Sequence, residues 1–117
     1  MLKVYEYKGC GTCKKALKFL EENAIEYKKI AIRETPPTKA ELKKMLKSYG
    51  GEVKKLFNTS GQDYRAMNIK DKIGTMTETQ AIELLSKNGN LVKRPFVVNG
   101  HFLTVGFKED IWKEGLC

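Results

Sequence analysis

The stretch YKGCGTCKKALKFL, residues 7–20, decides the reading of the fold. It sets Cys10 and Cys13 three positions apart, follows them with Lys14 and Lys15, and runs on into an apolar stripe. From Thr12 onward, Cys13, Ala16, Leu17, Leu20 and Ala24 recur at helical spacing, while Lys14, Lys15, Lys18, Glu21 and Glu22 fall off that stripe. Ahead of it, residues 2–7 alternate apolar and polar side chains as a strand does. Behind it, IEYKKIAI (25–32) is rich in β-branched and aromatic residues, a second strand. The order is strand, helix, strand, with both cysteines at the first turn. On the residues alone the pair has three readings: a redox couple, part of a metal site, or two small buried side chains.

Working outward, TPPTKAELKKMLKSYGG (35–51) is punctuated as a helix. Thr38 and Glu41 form a capping-box pattern, Leu42, Met45, Leu46 and Tyr49 make one face, and Gly50 and Gly51 end it. EVKKLFNTSG (52–61) predicts a short helix with Val53, Leu56 and Phe57 inward, and residues 64–67 add a turn. Thr77 and Gln80 repeat the capping box over a face of Ala81, Leu84 and Leu85, with Gly89 as the stop. Then RPFVVNGHFLTVG (94–106) predicts a hairpin turning at Asn99-Gly100, a dipeptide favoured by type I′ turns. FKEDIWKEG (107–115) closes as a helix with Phe107, Ile111 and Trp112 on its apolar side.

The 117 residues, 41% of them hydrophobic and 9% aromatic, suffice for one domain with a core of its own. We expect a single domain over 1–117, with a helical insert at about 38–89. No run approaches the roughly 20 apolar residues of a membrane span, and MLKVYEYKG (1–9) lacks the apolar block of a signal peptide. The expected location is the cytoplasm, where disulfides are mostly transient and catalytic or redox-sensing. The net charge of +8 is spread as lysines over every segment, and no nucleic-acid-binding signature accompanies it. Direct nucleic-acid binding is therefore disfavoured; a small anionic substrate or an acidic protein partner suits the charge, and we expect a monomer.

Four motifs, CGTCKKA (10–16), FNTSGQDYR (57–65), KRPFVV (93–98) and VGFKED (105–110), occur in that order and at intervals that resemble the arsenate reductase-related ArsC/Spx family. The resemblance runs from the first strand to the last helix. It implies an α/β, thioredoxin-like fold: a small mixed sheet of about four strands, βαβ then ββα, with the helical insert between the halves.

Within that context the cysteine pair reads as redox-active. The nucleophile in thiol chemistry is a thiolate, and the unpaired N–H groups and positive dipole end of a helix start favour a negative sulfur. Cys10 is thus the expected attacking thiolate and Cys13, one turn further in, the resolving thiol; together they would close a reversible disulfide. A zinc site would need Cys10, Cys13, His101 and Cys117, yet His101 and Cys117 are far apart in sequence, unlike the close ligand pairs of structural zinc sites. We expect no bound metal, His101 at the surface, and Cys117 as an end thiol.

The resemblance also implies a cis Pro95 packed against the cysteines and an Arg94 guanidinium directed at the thiolate or at a bound oxyanion or carboxylate. It suggests too that the stretch holding Arg65 borders the pocket, which makes Arg65 a further substrate-binding candidate. Glutathione-dependent arsenate reductases of this family surround their cysteine with three arginines. Only Arg94 matches here: Asn58 stands at the first position, and no arginine lies near Val105 and Gly106. One guanidinium in place of three speaks against arsenate reduction. Spx-type regulators keep the Cys-x-x-Cys as a switch and bind RNA polymerase. The expected function is a thiol–disulfide oxidoreductase with no bound cofactor, using glutathione or thioredoxin as electron donor. The alternative is a redox-sensing protein of the Spx kind.

Overall fold

Leu2–Glu6 forms β1, and its burial departs from the simple alternation of a half-exposed strand: Leu2, Val4, Tyr5 and Glu6 are all buried. The reason is its position inside the sheet, with a packed layer on each face. In the computed structural model, which describes residues 2–100 and 102–117, four strands stand in the order β2-β1-β3-β4. β2 (Tyr27–Ala31) runs parallel to β1, from Leu2 beside Tyr27 to Glu6 beside Ala31. β3 (Phe96–Val98) is antiparallel to β1, and β4 (Leu103–Val105) antiparallel to β3. This is the mixed four-stranded sheet expected from the sequence.

One layer holds α1 (Gly11–Glu22) and α6 (Glu109–Leu116). Leu2, Val4 and Val97 from the sheet meet Ala16, Phe19 and Leu20 of α1 around Trp112, which is fully buried. The other layer is the helical insert: α2 (Lys39–Ser48), α3 (Gln62–Ala66), α4 (Ile69–Lys72) and α5 (Glu78–Lys87), with a 3-10 turn at Val53–Leu56. Tyr5, Phe96 and Val98 face it, against Leu42, Met45, Phe57 and Leu85. Both capping boxes are formed. The Thr38 hydroxyl accepts the Glu41 N–H at 3.2 Å while the Glu41 carboxylate accepts the Thr38 N–H at 3.0 Å, and Thr77 and Gln80 repeat this at 3.1 and 3.0 Å.

Several expectations are corrected. The buried face of α1 includes Phe19 and excludes Ala24, which lies beyond the helix end, exposed and with a positive φ of 53°. In α5, Ile82 is buried and Leu84 only half-buried, because the helix is rolled toward α2. Ile111 on α6 points outward and is 43% exposed, while Trp112, with Leu116 beside it, supplies the contact with the α1 and sheet side chains. Between Met67 and Thr77, where periodicity predicts nothing, α4 and a 3-10 turn (Ile73–Thr75) form. The hairpin is closed by Asn99 donating to the Phe102 carbonyl at 3.0 Å, one residue later than an Asn99-Gly100 turn would place it. Among the described residues no helix is long and apolar enough to cross a membrane.

Candidate active site

Cys10 closes a tight turn at the end of β1. Its N–H donates to the Tyr7 carbonyl at 3.0 Å, and its carbonyl accepts the Lys14 N–H at 3.1 Å, the first bond of α1. Cys10 is therefore the N-cap, in extended conformation, and its sulfur accepts the Cys13 N–H at 3.2 Å. The sulfur does what a serine or aspartate oxygen does at most helix starts, satisfying one of the free N–H groups while facing the positive end of the helix dipole. Cys10 is half-buried; Cys13, one turn deeper, is 1% exposed. Burial pushes the Cys13 thiol well above its ordinary pKa, and the side-chain hydrogen bond to Cys10 adds to that, while a backbone hydrogen bond from Tyr7 opposes it. The pair is thus unequal: an accessible sulfur at a helix N-terminus and a protonated thiol held beneath it. Both cysteines are free thiols, as is Cys117, which is exposed at the end of α6.

Tyr7 connects this turn to the arginines. Its ring folds back on Gly9, where a β-carbon would stand 2.7 Å from the ring edge, so the residue next to Cys10 has to be glycine or the ring must move. The Arg33 guanidinium carbon lies 3.7 Å from the centre of that ring and the Arg94 guanidinium carbon 5.0 Å. Arg94 precedes the buried Pro95 through a cis peptide bond. Arg94 Nη1 is buried and, among the described residues, has no hydrogen-bond partner.

The insert completes the site. Lys93 N–H donates to the Leu56 carbonyl at 2.8 Å and Asn58 N–H to the Leu91 carbonyl at 2.7 Å, flanking a single antiparallel bridge between Phe57 and Val92. These bonds lay the 58–65 turn beside residues 88–94. Between them opens a cavity of about 550 Å³ lined by Arg33, Asn58, Asp63, Arg65, Asn90 and Arg94, with Ser60, Gly61 and Gln62 at its edge. Arg65, whose Nη2 donates to the Ser60 carbonyl at 3.3 Å, is exposed at the mouth.

Three guanidiniums therefore line one cavity, where the sequence offered one at the expected positions. Asn58 lines it as well. Arg33 escaped the sequence reading. Its position just past the carboxyl end of parallel strand β2, where ligands commonly bind in α/β sheets, is the signal that could have found it. His101 lies outside the described residues, and among those described no group of histidines, cysteines and carboxylates has the proximity to hold a metal. A larger groove of about 820 Å³ opens elsewhere, over Val53, Phe57, Ile73 and Met76, with Lys54, Lys55, Lys93 and Lys108 on its lining; it contains neither a cysteine nor an arginine.

With this geometry in hand, the relatives are informative. The model of the ArsC family matches residues 5–114. The chain is 49% identical over 113 residues to YusI, an uncharacterised protein of Bacillus subtilis, covering 97% of this chain and 96% of YusI. It is 29% identical to the global transcriptional regulator Spx of Listeria innocua, over 94% of this chain and 82% of Spx. A solved structure from Bacteroides fragilis, described as ArsC family related, superposes with a TM-score of 0.88 at 46% identity, covering 97% of each chain.

Proposed function

The chain belongs to the ArsC family, and from that premise we propose that it is a thiol–disulfide oxidoreductase working through Cys10 and Cys13. The observation that carries the reading is the N-cap geometry: the Cys10 sulfur accepts the Cys13 N–H at 3.2 Å, with the protonated Cys13 thiol buried beneath it. The Cys10 thiolate attacks one sulfur of a substrate disulfide, forming a mixed disulfide and expelling the other sulfur as a thiolate. Cys13 then loses its proton to the departing thiolate and attacks the Cys10 sulfur. The Cys10–Cys13 disulfide forms and the second substrate thiol is released; two electrons have passed from the dithiol to the substrate. Two equivalents of a small thiol such as glutathione, or one thioredoxin dithiol, return them.

Arg94 and Arg65 serve this reaction by holding an anionic part of the substrate, since guanidiniums grip carboxylates and oxyanions in a bidentate manner. Pro95 gives the strand start beside the site its shape. The family relationship to Spx supports a second reading, in which the same disulfide alters the affinity of a protein partner rather than turning over.

Equilibration against graded glutathione redox buffers, followed by alkylation and mass spectrometry, tests the proposal. A Cys10–Cys13 disulfide with a defined midpoint, and loss of all disulfide-reducing turnover in Cys10→Ser, is the expected result. A reversible disulfide without turnover would favour the switch. Thiols that stay reduced across the series would end both readings.

A further inference from the structure

We propose that the groove over Val53, Ile73 and Met76 binds a small amphiphilic monoanion, an aliphatic chain ended by a carboxylate. The inference goes beyond the oxidoreductase reading and does not rest on it, since no cysteine lines this groove.

The groove collects apolar surface that the core leaves uncovered. Val53, Ile73, Met76 and Val105 pack on the insert-side core from above, are only half-buried, and all line the groove. Ile111, the exposed large hydrophobic side chain among the described residues, lines it too. These residues come from the 3-10 turn after α2, the 3-10 turn after α4, strand β4 and helix α6. Singly exposed apolar residues are ordinary, but a patch gathered from several elements and rimmed by polar groups marks a place where something binds.

The charge on the rim has one sign. Lys54, Lys55, Lys93 and Lys108 line the same groove, and the one carboxylate among the lining residues, Glu52, pairs with Lys55 at 3.6 Å. Lys54, Lys93 and Lys108 take part in no ion pair among the described residues. A neutral apolar ligand would leave these ammoniums unused, and a small inorganic anion would leave the apolar floor wet. A chain with a carboxylate at one end satisfies both. A lysine ammonium, a flexible point charge, accommodates such an end without a fixed geometry.

Shape decides between a small ligand and a peptide. The volume of about 820 Å³ is that of a small-molecule site. β4 is an edge strand, and a peptide could add to it as a further strand. The Val105 N–H is already taken, however: it donates to the Tyr49 hydroxyl at 3.1 Å, which also stands 3.3 Å from Thr104 Oγ1. Strand addition is blocked at the residue that lines the groove, whereas an aliphatic chain needs no main-chain partner.

The probe is octanoate, titrated at low ionic strength into the isotope-labelled protein and followed by amide chemical shifts. Octanol supplies the same chain without the charge, and butyrate the same charge on a shorter chain. We expect saturable shifts at Val53, Ile73, Met76, Val105 and Ile111 with octanoate. Octanol should bind about fivefold more weakly, and butyrate about tenfold or more. Lys93→Gln combined with Lys108→Gln should lower the octanoate affinity toward that of octanol and leave octanol unchanged. Ile111→Gln, at an exposed position, should weaken octanoate and octanol alike. Equal affinities for octanoate and octanol, shifts spread over lysines away from the groove, or no saturation overturns the proposal. So does an acidic amphipathic peptide that shifts these amides where octanoate does not, which would assign the groove to a protein partner. The ligand comparison on the parent protein decides the matter even if a variant fails to fold.

Discussion

Gly89 lies against the backbone of Ile32 so closely that a β-carbon there would overlap the Ile32 carbonyl oxygen and stand 3.3 Å from the Arg33 α-carbon. The glycine therefore does more than end α5: it lets the 88–90 turn meet the end of β2, and that contact puts Arg33 into the cavity with Asn90 and Arg94. Gly89→Ala has to move backbone rather than a side chain, so it should cost about 3 kcal/mol, the upper part of the overpacking range. Urea unfolding measures this. A midpoint equal to the parent's would mean that the turn yields freely and that the contact does not position Arg33.

The two active-site thiols should separate by reactivity. Cys13 is buried, its pKa raised by burial first and by its bond to Cys10 second. A raised folded-state value means that the contribution to stability is complete below the ordinary thiol range and is lost as pH rises toward the folded value. In the native protein at pH 8, iodoacetamide should modify Cys10 and the exposed Cys117 and spare Cys13. In denaturant all three should react alike. Peptide mass spectrometry reads the outcome, and native labelling of Cys13 at the rate of Cys117 would contradict the unequal pair.

Acid stability should depend on Glu41, which ties α2 to β1. Its carboxylate accepts from the Tyr5 hydroxyl at 2.6 Å and from Lys3 Nζ at 3.1 Å. Burial pulls the Glu41 pKa upward, but the Tyr5 hydroxyl, the Thr38 N–H and Lys3 outweigh it, and the net value falls below the usual carboxylate range. The folded-state pKa being depressed, the contribution is present above the unfolded value of about 4.3 and disappears as pH falls through the folded one. Glu41→Gln should flatten the stability–pH curve in that acid window. Tyr5→Phe, which removes a hydrogen bond to a charged group, should cost about 1.5–3 kcal/mol at neutral pH. Thermal melts at a series of pH values would show either effect, and an unchanged acid limb in Glu41→Gln would refute the assignment.

Trp112 anchors the α1–α6 layer. It is the only tryptophan, fully buried, with Phe107, Phe102 and Phe19 presenting edges to it at centroid distances of 4.8, 6.0 and 6.1 Å. Its fluorescence should be blue-shifted in the native state and move to the red on unfolding. Trp112→Ala should cost about 3–5 kcal/mol. By contrast, Glu83 is an exposed partner of Lys39 and Lys87, at 2.6 and 2.7 Å, and Glu83→Gln should leave the melting temperature within error of the parent's. Equal effects of the two substitutions would invert this ranking.

Much of the architecture was legible because its signals are local. Thr38 with Glu41 and Thr77 with Gln80 specify helix starts through bonds three residues long, and both boxes are made. The strand–helix–strand order with Cys10 at its turn follows from a change of hydrophobic period within the first 32 residues. The N-cap position of Cys10 was readable to within one residue. Less legible were choices that depend on what an element packs against. Phe19 joins the α1 core because it packs against Trp112, Ala24 drops out because the helix has ended before it, and Ile111 faces outward beside the inward-facing Trp112.

The sequence by itself determined the chemistry at hand: two cysteines at a helix start, an arginine before a proline, and the order of elements that carries them. Only the tertiary structure decided how the charges are gathered. Arg33, Arg65 and Arg94 come from the end of β2, from α3 in the insert and from the start of β3, and no spacing relates them. They meet because Gly89 admits the Ile32 backbone and because the Phe57–Val92 bridge draws the insert onto the chain before β3. Such contacts join residues far apart in the chain, so they are set by how layers close over the sheet, and local pattern carries no record of them.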